Sequence, residues 1–143
     1  MILLDTNVVS EVYRSHPNPS VMTWLNAQPI DSLYLCTPVL AELHFGAERL
    51  DEDKRRDWLR ATIDRLENEL YRDRILVFDT SSAAKFGLIN AACRKSGQTL
   101  QQMDGLIAAI ALTNGATLAT RNGKDFVNLG LDLINPFEAT VDR

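Results

Sequence analysis

The chain has 143 residues, of which 45% are hydrophobic, and this is enough for one domain, predicted over 1–143, with its own core. A net charge of −4 argues against a broad basic surface for nucleic acid, and the spacing of Cys36 and Cys93 indicates neither a disulfide framework nor a zinc site. The chain opens without a basic leader and contains no apolar run long enough to cross a membrane, so we expect a cytoplasmic protein.

The first predicted element is a strand over 2–4, where three apolar residues form a run typical of a strand buried on both faces. Asp5 follows this run directly, and Thr6 and Asn7 suit a turn or a helix cap. Ligands bind at the carboxyl ends of the strands in open parallel sheets. Asp5 is therefore either a simple cap or the first member of a site.

A helix over 19–27, opened by a proline, and a strand over 33–36 come next. Thr37 and Pro38 begin another helix, whose apolar face continues for three turns or more. Glu42 lies at the border of that face, so its carboxylate can reach the edge of a cleft. The alternative is a surface glutamate held by a neighbouring lysine or arginine.

The middle of the chain is rich in charge. Residues 51–74 predict one long exposed helix, followed by a strand over 75–78. A second helix, over 80–96, starts with a capping run and ends before a glycine. His44 lacks the partners of a metal or nucleophilic site, so we expect it to be a partly buried helix residue rather than a general base.

The helix predicted over 102–114 carries Asp104 on the same face as Ile107, Ala108 and Ala111. An ionised carboxylate buried on that face needs a metal, an opposite charge or several hydrogen bonds. The alternative for Asp104 is an ordinary cap at the start of the helix.

The last predicted strands cover 117–119 and 131–134. Thr120 and Asn122 follow the first of them, and Asp125 comes three residues later, in what would otherwise be an ordinary turn. If the strands at 2–4 and 117–119 are neighbours, these groups share one sheet edge with Asp5.

Alternating strands and helices predict an α/β fold, which we expect to be a three-layer α/β/α sandwich around a mostly parallel sheet of about five strands. Four oxygen-bearing groups at one edge, without histidine or cysteine, indicate a hard divalent cation, magnesium or manganese. Such a site suits phosphoryl chemistry, because the cation neutralises a phosphate and activates water. The predicted site consists of Asp5, Glu42, Asp104 and the group around Asp125.

Four segments, LLDTNVVSE, TPVLAELHFGAERL, DGLIAAIA and LATRNGKDF, together resemble the PIN-domain ribonucleases, especially the VapC toxins of bacterial toxin–antitoxin pairs in their FitB-like branch. The resemblance implies a PIN-like fold, a homodimer and an endoribonuclease centre that uses Mg²⁺ or Mn²⁺ and is inhibited by a cognate antitoxin. The family's acids correspond to Asp5, Glu42 and Asp104, and its supporting polar residues correspond to Thr6, Asn7, Thr120 and Asn122.

Asn122 departs from the family pattern, because many relatives carry an acid at its position. The fourth carboxylate then comes from Asp125, and the missing charge favours one firmly bound ion. In this interpretation Asp5 and Asp104 hold the ion, whereas Glu42 and Asp125 orient or deprotonate the attacking water. The candidates for RNA contact are Arg14, Arg121 and Lys124.

The expected partner is an antitoxin with a basic C-terminal segment, because an arginine or lysine delivered into the acidic pocket would replace the charge of the metal. A groove at Val8, Val9, Val12 and the helix of Trp24 is a candidate dock for its apolar part. A higher assembly that binds operator DNA would do so through the antitoxin.

Two other classes of protein remain open from the sequence. A magnesium-dependent phosphotransferase of the haloacid dehalogenase or receiver type also places an early aspartate at a strand end, but it usually has a second acid nearby, where this chain has Thr6 and Asn7. A non-catalytic binding module could use the same acids only to receive a basic partner.

Overall fold

The computed structural model describes residues 1–138, and its strands are β1 (Ile2–Leu4), β2 (Leu33–Cys36), β3 (Ile75–Leu76), β4 (Thr117–Ala119) and β5 (Leu133–Ile134). They form one sheet in the order β3-β2-β1-β4-β5, and every pair of neighbours is parallel. β1 is therefore the central strand, and it pairs with β4, which is the condition under which the groups after β4 share a sheet edge with Asp5.

Within residues 1–138 six helices flank the sheet, so the predicted α/β/α architecture is confirmed. Three helices have the predicted bounds, and the helix that was expected to start at Thr37 does so, with Cys36 as its N-cap. The helices are α1 (Thr6–Val12), α2 (Pro19–Ala27), α3 (Thr37–Glu48), α4 (Lys54–Arg65), α5 (Thr80–Ser96) and α6 (Gln102–Asn114).

The single helix predicted over 51–74 is wrong. α4 is only its middle part, and the chain continues as a π-helical turn over Leu66–Leu70. The helical path then ends because the Arg74 guanidinium donates hydrogen bonds to the carbonyl oxygens of Leu70, at 2.6 Å, and Leu33, at 2.9 Å. These contacts turn the chain toward the sheet, where it enters β3.

Both edge strands are shorter than predicted. The strand expected over 75–78 stops at Leu76, because Val77 and Phe78 are 56% and 37% exposed and the chain then enters α5. The strand expected over 131–134 begins only at Leu133, because Gly130 has a φ of 82° and turns the chain just before it. Apolar composition alone overestimates strands that lie at a sheet edge.

The core lies on both faces of the sheet and is centred on β1 and α6. Leu3, Leu118 and Ile107 are all 0% exposed, and both cysteines are buried. His44 is exposed and contacts Glu67, so its predicted partial burial is wrong.

No helix within residues 1–138 is both long and apolar enough to cross a bilayer. The single domain predicted over 1–143 stays a prediction, and its last five residues, 139–143, lie outside the described part of the chain.

Candidate active site at the carboxyl edge of the sheet

Asp5 lies where β1 leaves the sheet, and it is only 5% exposed. Its amide donates to the carbonyl oxygen of Ala119 at 2.9 Å, which joins the ends of β1 and β4. One carboxylate oxygen accepts from the amide of Thr6 at 2.8 Å, and the other accepts from the Thr120 hydroxyl at 2.7 Å. Asp5 is thus the N-cap of α1 and also a buried acid at the carboxyl edge of the sheet.

The environment of Asp5 raises the pKa of its carboxyl above the ordinary value. Burial is the main cause, and the negative charge of Glu42 adds to it. Hydrogen bonds from Thr120, Thr6 and Asn7 oppose this rise, because they stabilise the ionised form. The carboxylate is held firmly in place but lacks a positive partner within residues 1–138.

Glu42 reaches the same edge from α3. Its side chain is half-buried, and the Thr6 hydroxyl donates to its carboxylate at 2.6 Å. No lysine or arginine of residues 1–138 pairs with it, so the alternative of a surface glutamate held by a cation is wrong. Thr6 therefore connects the two acids, through its amide to Asp5 and through its hydroxyl to Glu42.

Asp104 lies in the first turn of α6 but does not cap it, because the N-cap is Gln101. Ile107, Ala108 and Ala111 on its face are completely buried, as the spacing predicts. Burial raises the pKa of Asp104 to about 6, and repulsion from neighbouring carboxylates adds to this rise. These carboxylates belong to Asp5, Asp125 and Glu42.

The turn after β4 completes the edge. The hydroxyl of Thr120 accepts from the amide of Asn122 at 3.1 Å, while the side chain of Asn122 is exposed. Asp125 lies half-buried in a 3-10 turn over Gly123–Phe126, close enough to raise the pKa of Asp104. The carboxylate of Asp104 thus feels the charges of three carboxylates from three other segments at one edge.

Asn7 links the two strand ends through its side-chain amide. Its nitrogen donates to Asp5 at 3.3 Å and to Thr120 at 3.4 Å, and its oxygen accepts from the amide of Arg121 at 3.2 Å. The first turn of α1 and the loop after β4 are therefore held in register, which positions the acids between them.

The donor chemistry of this edge fits a hard divalent cation, because it offers four carboxylates. The thiol of Cys36 lies near Asp5 and Glu42, but it is completely buried and its burial raises its pKa to about 12. Within residues 1–138 no group of three acidic, histidine or cysteine side chains lies close enough together to hold a metal ion. No basic side chain of that part of the chain pairs with any of the four acids. Their mutual repulsion is therefore uncompensated, which favours cation binding.

The three candidate basic residues have different surroundings. Arg14 is paired with the buried Glu11 at 3.2 Å. We call the carboxyl edge the acidic edge, after its four acids Asp5, Glu42, Asp104 and Asp125. Arg121 directly follows Thr120 at this edge, and its guanidinium lies over the ring of Phe137, 4.7 Å from the centroid. Lys124 is exposed beside Asp125. The contact with Phe137 was not predicted, since only the fold brings that residue to the end of β4.

The apolar groove predicted near α1 exists, but its lining differs. It encloses about 310 Å³ and includes Val9 and Val12. Val8 belongs to the core, with no exposed surface, so its predicted place in the groove is wrong. The predicted contribution of the Trp24 helix is confirmed through Met22 and Leu25, although Trp24 itself packs against the core. The other main contributors are Tyr13, Met22, Leu25, Leu66 and Leu70.

Comparison with known families gives a match to the PIN domain over residues 2–130. The plasmid stability protein StbB of Pseudomonas syringae pv. tomato is 42% identical, over 97% of this chain and 100% of its own. The VapC ribonuclease Y4jK of Sinorhizobium fredii is 39% identical, over 96% and 99% of the two chains. The toxin FitB of Neisseria gonorrhoeae is 35% identical, also over 96% and 99%.

Two solved structures share the whole architecture. The crystal structure of FitAcB from Neisseria gonorrhoeae superposes with a TM-score of 0.89 at 36% identity, over 97% of this chain and 100% of that one. A structure of FitAB bound to an IR36 DNA fragment superposes with a TM-score of 0.92 at 33% identity, over the full length of both chains.

Proposed function

The chain belongs to the PIN-domain family and to its VapC toxins, and on this premise we propose that it is the toxin of a type II toxin–antitoxin module. Its activity is that of an endoribonuclease, which cuts RNA phosphodiesters with a divalent metal and is inhibited by a cognate antitoxin. The observation that carries this proposal is the set of four uncompensated carboxylates at the carboxyl edge, in a chain related to a VapC ribonuclease.

We assign the metal to Asp5 and Asp104, with Mg²⁺ or Mn²⁺ as the ion, because burial raises the pKa of both acids and neither has a cationic partner within residues 1–138. A bound divalent ion neutralises phosphate charge and lowers the pKa of water. Glu42, fixed by the Thr6 hydroxyl, accepts a proton from the attacking water, and Asp125 orients that water. Asn122 leaves the site one charge short, which favours a single ion.

The first test of this function is cleavage of total cellular RNA by the purified protein, freed of any copurified partner. Specific cuts are expected with Mg²⁺ or Mn²⁺, and a chelator should remove them. If the folded, partner-free protein makes no cuts with either ion, the alternative of a non-catalytic binding module is correct instead.

Thr120→Val is expected to reduce RNA cleavage about 10- to 100-fold, a typical effect for the residues that orient metal-binding carboxylates. The Thr120 hydroxyl is buried and connects Asp5 to the amide of Asn122, so its loss frees the Asp5 carboxylate to rotate. The measurement is kcat/KM on a defined RNA. Thr120→Ser keeps the hydroxyl and should retain most activity, whereas equal losses in both variants would contradict the assigned role.

Arg121 is the best placed of the candidate RNA contacts, because its backbone is tied to Asn7 and its guanidinium is stacked on Phe137. Arg121→Ala should raise the KM for RNA about tenfold with a smaller change in kcat, since a phosphate contact contributes mainly to binding. Lys54→Ala, which removes an exposed cation at the start of α4, serves as the control. A loss confined to kcat would contradict this role.

A homodimer follows from the family, and the exposed face of α5 is its proposed interface. Leu88 is 65% exposed between the small residues Ala84 and Ala91, and the exposed Val77 and Phe78 precede the same helix. Such a patch is typical of a protein interface. Leu88→Asp should weaken dimerisation about tenfold or more, as measured by analytical ultracentrifugation.

The matched control for Leu88→Asp is Ile30→Asp, which places the same charge on another exposed apolar residue, 55% exposed and distant in sequence from α5. The interface assignment fails if both variants dimerise equally well.

The proposed antitoxin has a basic C-terminal segment, whose arginine or lysine enters the acidic edge while an apolar part occupies the groove at Val9 and Val12. The FitAB structure bound to DNA suggests that such an assembly binds operator DNA. Because this chain is acidic, the antitoxin would supply the DNA contacts. A purified complex in which a divalent ion still binds freely would contradict the inhibition proposed here.

A further inference from the structure

A second cleft lies beside the acidic edge, between the C-terminal half of α5 and the loop that enters α6. It has a volume of about 670 Å³ and opens to solvent. We call it the α5–α6 cleft and define it by Phe86, Asn90, Arg94, Gln98 and Leu100. The mechanism proposed above uses none of these residues.

The α5–α6 cleft adjoins the helix turn that carries Asp104. A Cβ added at Gly105 would lie 3.0 Å from a ring carbon of Phe86 and 3.2 Å from the side-chain nitrogen of Asn90. Only a glycine lets α5 approach this turn so closely. The wall of the cleft is therefore packed directly against the residue that follows a proposed metal ligand.

The α5–α6 cleft also touches the segment that carries Asp125. The side-chain nitrogen of Gln98 donates to the carbonyl oxygen of Val127 at 2.9 Å, two residues after Asp125. Asp104 and Asp125 thus lie on elements that border the cleft from two sides. A chain whose phosphate lies at the acids has its neighbouring groups within reach of this cleft.

The side chains that line the α5–α6 cleft combine apolar walls with hydrogen-bond acceptors and one cation. Asn90 and Gln98 each use an amide N–H inside the protein, toward Phe86 at 2.8 Å and Val127. Across residues 1–138 no donor reaches their side-chain oxygens, and Arg94 forms no ion pair. Within residues 1–138 the cleft therefore offers two free acceptors, a guanidinium without an ion pair and the ring of Phe86.

We propose that the α5–α6 cleft binds a nucleobase of the RNA, next to the phosphate that is cut, and prefers bases with an exocyclic amino group. Aromatic and apolar side chains accept the face of a base, and amide oxygens accept its amino group. Arg94 contacts the adjoining phosphate. This inference rests on the ribonuclease function proposed above and adds a determinant of cleavage preference to it.

The proposed dimer interface borders this cleft, because Ala91 flanks Leu88 and also lines the cleft. At about 100° per residue, Asn90 and Arg94 lie roughly 160° and 120° around α5 from Leu88, so they point away from the proposed interface. The side of the cleft formed by Asn90 and Arg94 is therefore the part that the proposed interface leaves open.

The test is an NMR titration of the metal-free, ¹⁵N-labelled full chain with AMP, CMP and UMP as probes. AMP and CMP are expected to shift the signals of residues 86–100 and the side-chain amide of Gln98. UMP has the same sugar and phosphate but no amino group, so it should bind about fivefold more weakly, as expected for the loss of one hydrogen bond.

Arg94→Ala and Asn90→Ala should each weaken AMP binding about fivefold. Lys95→Ala removes a cation from the same turn but on the Leu88 side, and it should bind AMP as the unmodified protein does. Thermal unfolding identifies any variant that fails to fold, and the exposed Arg94 provides the safer substitution. In RNA cleavage, Asn90→Ala should change which bases flank the cut sites.

The proposal is overturned if AMP shifts no signal of the cleft, if UMP binds as tightly, or if Arg94→Ala and Lys95→Ala behave alike. It is also overturned if only a peptide from the antitoxin shifts these signals, since the occupant is then a protein. If the protein cleaves RNA but does not bind AMP, only the proposed role of the cleft is contradicted, and the ribonuclease function stands. If the protein binds AMP but does not cleave RNA, base binding in the cleft is supported and the ribonuclease function is contradicted.

Discussion

Asp104→Asn is expected to reduce RNA cleavage about 100-fold or more, the largest effect of a single substitution in this protein. The substitution removes one of the two proposed metal ligands, and it also removes a charge that Asp5, Asp125 and Glu42 repel. The isosteric amide keeps the shape of the helix turn, so the protein should fold. The measurement is kcat/KM on a defined RNA at a high Mn²⁺ concentration, with Asp5→Asn as the companion variant.

Asp31→Asn is the matched control for this loss, because Asp31 is exposed and belongs to a short 3-10 turn before β2. Asp31→Asn removes the same charge from the protein, but the variant should keep full RNA-cleavage activity. Cleavage that persists in Asp104→Asn and Asp5→Asn would mean that the nuclease is a contaminant or that the metal is held by other residues.

A divalent cation should stabilise the protein strongly, and this gain should vanish in Asp104→Asn. An ion that binds only the folded state adds about 2.7 kcal/mol to the free energy of unfolding at 100 times its Kd. For a domain of this size that corresponds to a rise of several degrees in Tm. Differential scanning calorimetry at pH 7.5, with and without Mn²⁺, measures it without any RNA.

The metal-free protein should become less stable as the pH rises, whereas a protein stabilised by ion-paired acids becomes more stable. The pKa of Asp104 is raised to about 6 in the fold, so the folded state holds a proton that the unfolded state has lost. This stabilisation is complete below about pH 4 and is lost as the pH rises through 6. Asp104 is partly exposed, so we expect a loss of only about 1 kcal/mol.

Asp104→Asn should lack this pH dependence and should be more stable than the metal-free parent protein at pH 7.5. Mn²⁺ should stabilise the parent less at pH 5 than at pH 7.5, because the ion must then displace a proton. The opposite result is a free energy of unfolding of the metal-free parent protein that rises between pH 4 and 6.5 by the same amount as that of Asp104→Asn. That result would contradict the repulsion among the carboxylates at the acidic edge.

The central strands were predictable from sequence because they are buried on both faces. β1, β2 and β4 have their predicted bounds, since a continuous apolar run there has no other explanation. β3 and β5 are shorter than predicted, because an edge strand ends where the chain turns away, and apolar residues can remain exposed beyond it. The helix expected over 51–74 was wrong for a related reason, since the contacts of Arg74 that end it are tertiary.

The acidic edge was predictable in outline because parallel strands bring their carboxyl ends together. The bonds that organise it were harder to anticipate, since the Thr6 hydroxyl meets a carboxylate 36 residues away. Phe137 and the α5–α6 cleft carry no local motif at all. Their positions depend on how the end of β4 and the helices α5 and α6 pack against one another. A single sequence does not contain this packing in any local pattern.

The central position of β1 also governs when this site can exist during synthesis. β1 is made first, yet the hydrogen bond that the Thr120 hydroxyl donates to Asp5, just after β1, spans 115 positions. Contacts between such distant residues form late, because closing a long loop is costly in entropy. A ribosome must therefore release almost the whole chain before the acids can gather, so a copy truncated before Thr120 cannot complete the acidic edge.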